Sequence, residues 1–112
     1  MRLEVRSIFS PDIDPTDGAP SDLYDFEILA TVSMGEFAAP GEVVFYFTVC
    51  SPNRLARIAS GTFVQNTLVL DRFDWASIKK RLEGIAMHCS SAKNWAEVEV
   101  ALRGCLRHGD SD

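Results

Sequence analysis

Two stretches of alternating apolar and polar residues, separated by a short segment holding a proline and bounded by glycines, constrain this chain more than anything else in it. Between Tyr24 and Met34, the residues Phe26, Ile28, Ala30, Val32 and Met34 alternate with Glu27, Leu29, Thr31 and Ser33. That is the period of a strand with one buried face. Between Glu42 and Cys50, Val43, Phe45, Phe47 and Val49 repeat the pattern, and the intervening residues 35–41, with Pro40 among them, predict a hairpin connection. The two strands should therefore pair antiparallel. Val44 and Tyr46 fall on the opposite face, which is less polar than a fully solvated face would be and is expected to be covered.

The remaining elements can be placed around this hairpin. Residues 2–9 read as a strand, and Ser10-Pro11-Asp12 opens a loop rich in Pro, Asp, Gly and Ser that runs to about Asp22. Loops this long often carry function. Ser51-Pro52 places a capping hydroxyl before a proline at the first helical position, which predicts a short helix through about Ala59, ended by Gly61. Thr67 to Asp71 is the expected fourth strand, after the turn-like Gln65-Asn66. Two amphipathic helices follow. Trp75, Ile78, Leu82, Ile85 and Cys89 make one stripe behind Asp74 as N-cap, and Trp95, Val98, Leu102, Cys105 and Leu106 make another behind Asn94, which has Glu97 at capping-box spacing. Gly84 and Gly104 sit at equal offsets in the two helices; a close backbone approach or early fraying would account for them.

These elements predict a single α+β domain over residues 1–112: a largely antiparallel sheet of about four strands with two C-terminal amphipathic helices packed on one face. The expected core is Val5, Phe26, Ile28, Val32, Phe45, Phe47, Val49, Trp75, Ile78, Leu82, Ile85, Trp95, Val98 and Leu102. Hydrophobic residues make up 46% of the chain and charged ones 24%, a balance that suits a globular domain and excludes a disordered or collagen-like one. The charged and apolar residues that alternate from Met1 to Arg6 do not form a secretory signal, and no apolar run is long enough to cross a bilayer. Three cysteines without CxxC spacing fit free thiols in a reducing cytoplasm and give no zinc site.

Charge is unevenly distributed. The net charge of −5 divides into −7 over residues 1–42, where nine acids face only Arg2 and Arg6, and +2 over the rest. Phosphate binding by the N-terminal half would need the opposite sign, so nucleic acid is disfavoured there and a basic protein partner is favoured.

Catalytic motifs are few. His88 and Cys89 point about 100° apart on a helix and cannot act as a nucleophile and base on each other. Cys89 and Cys105 continue apolar stripes and read as buried structural thiols. Cys50 lies just before the helix expected at Pro52, where the dipole would stabilise a thiolate, but no motif surrounds it and a small apolar filler is the favoured reading. Asp12, Asp14 and Asp17 have the opening spacing of an EF-hand loop, yet Pro15 interrupts them and Leu23 stands where the bidentate Glu belongs, so calcium is not expected. No phosphate-binding glycine loop or nucleophile elbow is present, and no cofactor or metal is implied.

The order and separation of several pieces do resemble a family. Met1-Arg2-Leu3-Glu4-Val5-Arg6-Ser7-Ile8 is followed by Ser10-Pro11-Asp12-Ile13-Asp14, and the strand Phe45 to Val49 leads into Cys50-Ser51-Pro52. Then come Phe73-Asp74-Trp75 with Ile78 and Leu82, Cys89, and Trp95 with Glu97-Val98. Over nearly its whole length the chain resembles the immunity protein 8 family of bacterial polymorphic toxin systems. The resemblance implies a small α+β protein that binds and neutralises a cognate toxin and catalyses nothing. On that reading Asp12, Asp14, Asp17, Asp22 and Asp25 present negative potential to a basic toxin domain, and Ile13, Leu23 and Tyr24 supply apolar contact. The rival readings are a cytosolic thiol-dependent enzyme or small-molecule-binding protein using Cys50, and a homodimer formed through Val44 and Tyr46.

Overall fold

The computed structural model describes residues 1–13, 18–58 and 60–108. The two alternating stretches become β2 (Glu27–Glu36) and β3 (Val43–Cys50), paired antiparallel with Ile28 opposite Val49 and Val32 opposite Phe45. Their shared inward face is fully apolar, and Ala30, Val32, Met34, Phe45 and Val49 are almost completely buried. β1 (Leu3–Phe9) pairs antiparallel with the other edge of β2. Its register shifts between Val5 and Ser7, a bulge whose extra residue is Arg6. The bulge keeps Leu3, Val5 and Ile8 on the core side across from Glu36, Met34 and Val32.

After β3 the chain forms α1 (Pro52–Ile58), then β4 (Thr67–Val69), which lies parallel to the C-terminal end of β3 with Val49 beside Leu68. The helix at Pro52 is the expected one, its expected last residue Ala59 lying outside the described residues, but Ser51 does not cap it as its sequence position suggests. Its hydroxyl accepts from Phe26 N at 3.1 Å and donates to Asn53 Oδ1 at 2.5 Å, and its backbone N–H donates to Phe26 O. Ser51 is fully buried beside the start of β2, so its hydroxyl serves the orphaned amide of Phe26 rather than its own helix. β4 stops at Val69, two residues short of the sequence expectation. Leu70 N still donates to Cys50 O.

α2 (Trp75–Cys89) and α3 (Trp95–Leu102) cover one face of the sheet. Asp74 caps α2 by accepting from Ala76 N, and Asn94 caps α3 by accepting from Glu97 N, both as the sequence predicts. The reciprocal bond of the α3 cap goes from Lys93 N to Glu97 Oε2, one residue ahead of the usual box partner. Ile78, Leu82, Ala86 and Cys89 of α2, with Val98 and Leu102 of α3, join the inward residues of the sheet in one cluster. Burying each of the larger side chains contributes about 1.5–3 kcal/mol. Val5, Trp75, Ile85 and Trp95, expected in the core, are only partly buried at its margin; Leu3 and Phe73 are core residues the expected core left out, and Leu106, the last residue of the second predicted stripe, is buried.

A two-residue strand that the sequence did not suggest, β5 (Arg107–His108), closes the sheet antiparallel to the N-terminal half of β3. Among the described residues the sheet thus has five strands, mostly antiparallel, with β4 and β5 sharing one edge of β3. Gly104 lies beyond α3 at φ +89°, where the chain turns toward β5, so the earlier end of the helix accounts for it. Gly84 is truly inside α2, and a Cβ there would meet nothing within 4 Å, so among the described residues no backbone outside its own helix approaches it closely.

Candidate partner-binding surface

Where β1 ends, side chains take over the pairing with β2. Ser10, buried, donates through Oγ to Leu29 O at 2.6 Å and accepts from Asp12 N at 3.1 Å. The Asp12 carboxylate then accepts from Leu29 N at 2.9 Å. Both backbone groups of Leu29 are met, and the exposed Asp12 side chain is fixed against the edge of β2. Ile13, expected to contact a partner, is half-buried and packs against the core. Asp14 and Asp17 lie outside the described residues.

The far end of the loop is tied to the start of α2. Trp75 Nε1 donates to Gly18 O at 3.0 Å, and Phe73 N donates to Leu23 O at 2.7 Å. The Phe73 ring stands edge-on to both Phe26 and Trp75, with centroids 5.5 and 5.3 Å away. Leu23 packs against this aromatic margin of the core. Asp22 accepts from Tyr24 N at 2.9 Å in an Asx turn, which leaves the Asp22 carboxylate exposed and the Tyr24 side chain 63% exposed.

Asp25 has a different environment from its neighbours. Its Oδ1 accepts from Arg54 Nε at 2.6 Å, from Asn53 Nδ2 at 2.8 Å and from Arg57 Nη2 at 3.2 Å, all on α1. The Arg54 hydrogen bond, chief among these, holds the carboxyl below its ordinary value. Asp25 therefore joins α1 to the start of β2, and its charge is largely neutralised there. Among the described residues no ion pair reaches Asp12 or Asp22.

Strand register supplies the apolar part of this surface. Phe9 lies opposite Thr31, Thr31 opposite Tyr46, and Tyr46 opposite Arg107, all on the face turned away from α2 and α3. The next row on that face holds Leu29, Thr48 and Thr67. Phe9 is 52% and Leu29 45% exposed, and the carboxylate of Asp12 is bonded at Leu29. Sequence reasoning overlooked Phe9 and Leu29 as candidate contact residues because each reads as an ordinary strand residue. Only the cross-strand register brings them together beside a fixed acid. Val44 and Tyr46 share the face but are each partly covered.

Cys50 does not have the surroundings of a reactive thiol. Its side chain is fully buried, and burial first, then the Glu27 carboxylate opposite it on β2, push its pKa up. A raised pKa opposes thiolate formation, so the filler reading stands and a Cys50-dependent activity is not favoured. Cys89 is buried, as its stripe predicted, but Cys105 is exposed. The reason is that α3 ends at Leu102, so the stripe no longer governs where residue 105 points. Among the described residues no cluster of His, Cys, Asp and Glu is arranged to hold a metal ion, and no helix is long and apolar enough to cross a membrane.

The domain thus has one sheet face covered by helices, and on the other Phe9 and Leu29 stand exposed near the bonded carboxylate of Asp12. The family profile for Immunity protein 8 matches residues 3–107, and the chain belongs to that family. It is thereby placed among immunity proteins, a class whose partner is a cognate toxin. No curated protein and no solved structure matches the chain.

Proposed function

We propose that this protein neutralises a cationic cognate toxin domain by binding it, with no bond made or broken, through the acidic loop and the adjoining outer face of the sheet. The observation that carries this reading is the Asp12 carboxylate bonded to Leu29 N, beside exposed Leu29 and the nearby Phe9. Fixed charge next to apolar area is what an encounter-then-dock interface needs: the charge speeds approach, and the desolvated apolar contact slows release. Asp12, Asp14, Asp17 and Asp22 supply the potential, and Tyr24 joins Phe9 and Leu29 as apolar contact. Ile13 and Leu23 brace the loop from beneath, and Asp25 with α1 steadies its exit.

The test uses the toxin domain encoded beside this gene. Co-expression should rescue growth. Stopped-flow association should slow by about tenfold or more at low salt when Asp14, Asp17 and Asp22 are all changed to Lys, and its salt dependence should become shallower. These positions spare both the Asp12–Leu29 bond and the Asp25 ion pairs. Unchanged kinetics would remove the loop from the interface. Phe9→Ala with Leu29→Ala should instead act on dissociation. A homodimer through Val44 and Tyr46 would cover the same face, and a monomer by light scattering leaves that face to the toxin.

A further inference from the structure

α2 and α3 touch over only a short stretch and leave between them a groove of about 520 Å³. Lys80, Arg81 and His88 line it, none of the described lining residues is acidic, and its apolar wall includes Ile85 and Leu102. In a chain of net charge −5 this is a local reversal of sign. A smaller cavity of about 110 Å³ shares Arg81, Ile85 and Cys105 with the groove and runs down to Phe47 and Leu68 on the sheet. It is mostly apolar and sized for one aliphatic side chain. Gly84 also lines the groove, and a Cβ on it would project into open space. Glycine is the least favourable residue short of proline in a helix interior. Nothing among the described residues approaches that position closely enough to require it.

We propose that this groove docks an acidic segment of another protein, a peptide that sets one aliphatic side chain into the smaller cavity and its carboxylates against Lys80, Arg81 and His88. Lys80 and His88 are eight residues apart, roughly 12 Å along the helix axis. That spread suits several carboxylates on one segment better than the single headgroup of a small amphiphile. Gly84 lets the segment's backbone lie close to α2, as small residues do wherever chains pack tightly. The site lies on different residues from the acidic loop and does not depend on what that loop binds.

The experiment is an NMR titration of the full chain with a short blocked peptide of glutamate and leucine. Saturable shifts at Gly84, Ile85, Leu102 and Cys105, weakened by salt, are expected. Lys80→Glu with Arg81→Glu should weaken binding by more than about tenfold, and a lysine–leucine peptide should bind that variant. Gly84→Leu should also block binding while leaving the protein folded, since its Cβ meets open space and the rest of the side chain extends into the groove. Lys79→Glu, on the side of α2 facing β1, should leave affinity unchanged. Equal loss with Lys79→Glu, shifts that map elsewhere, or no saturable binding would overturn the proposal. So would octanoate saturating the groove when the peptide does not.

Discussion

Arg6 and Gly35 form a pair whose energetics can be worked from their geometry. Arg6 is the extra residue of the β1 bulge, and its guanidinium lies across Gly35 to reach the β2–β3 hairpin. It donates to Glu36 O at 2.9 Å, to Ala39 O at 2.5 Å and to Gly41 O. A Cβ on Gly35 would overlap the guanidinium carbon and Nε. Those atoms end a flexible side chain, so Gly35→Ala displaces Arg6 rather than the backbone, and the loss is that of the three carbonyl hydrogen bonds together with the weaker 3.4 Å Arg6 Nε–Glu4 Oε1 pair. A charge-assisted bond contributes about 1.5–3 kcal/mol when buried. Here one group makes all three and solvent reaches most of them, so the total should be about 1–2 kcal/mol, or about 4–8 °C in Tm. With Arg6→Ala in place the overlap has no partner, and alanine for a strand glycine gains about 0.5–1 kcal/mol. The substitution at Gly35 should therefore change sign between the two backgrounds. Urea denaturation of the four proteins, followed by the fluorescence of Trp75 and Trp95, gives the coupling energy. An equal cost in both backgrounds would refute the steric argument.

Three further outcomes follow from the same coordinates. Asn94→Ala removes the acceptor for Glu97 N and should lower stability by about 1 kcal/mol in the same denaturation assay, whereas Asn94→Asp should be nearly neutral. Asp25 and Asp74 both titrate below 3.8, Asp25 chiefly through the Arg54 hydrogen bond and Asp74 chiefly through the Ser77 hydroxyl. Depressed carboxyls stabilise above their unfolded pKa and lose that contribution as pH falls through the folded one, so stability should decline below about pH 4, and Asp25→Asn should flatten the decline. An acid limb identical in the variant would exclude Asp25 from it. Cys105 should react rapidly with a thiol reagent in the native protein, while Cys50 and Cys89 should react only on unfolding; fast labelling of all three would contradict the observed burial.

The elements legible in the sequence are those whose pattern reports a one-sided environment. The inward positions of β2 and β3 are apolar at every second residue because that face meets α2 and α3. Ile78, Leu82 and Cys89 mark the buried stripe of α2, and Asp74 and Asn94 stand at its start and at that of α3. β5 left no trace because two residues cannot show a period, and its place beside Phe45 and Tyr46 is set by tertiary contact. Trp75 and Trp95 continue their stripes in the sequence yet sit at the core margin, where the indole N–H of Trp75 can reach Gly18 O. In the candidate surface, Asp25 and Arg54 are far apart in sequence and nothing local announces their pairing. Phe9 and Leu29 became visible as neighbours only through register.

The two borders of the sheet also limit how another chain can approach. On one side the bulge at Arg6 breaks the ladder of β1. On the other, β3 is flanked by a three-residue parallel strand and a two-residue antiparallel one rather than by a continuous ribbon. Among the described residues, neither border offers the long, flat row of unpaired amides on which amyloid-like stacking grows. Edge-to-edge stacking of folded copies is thereby opposed by the shape of the sheet itself.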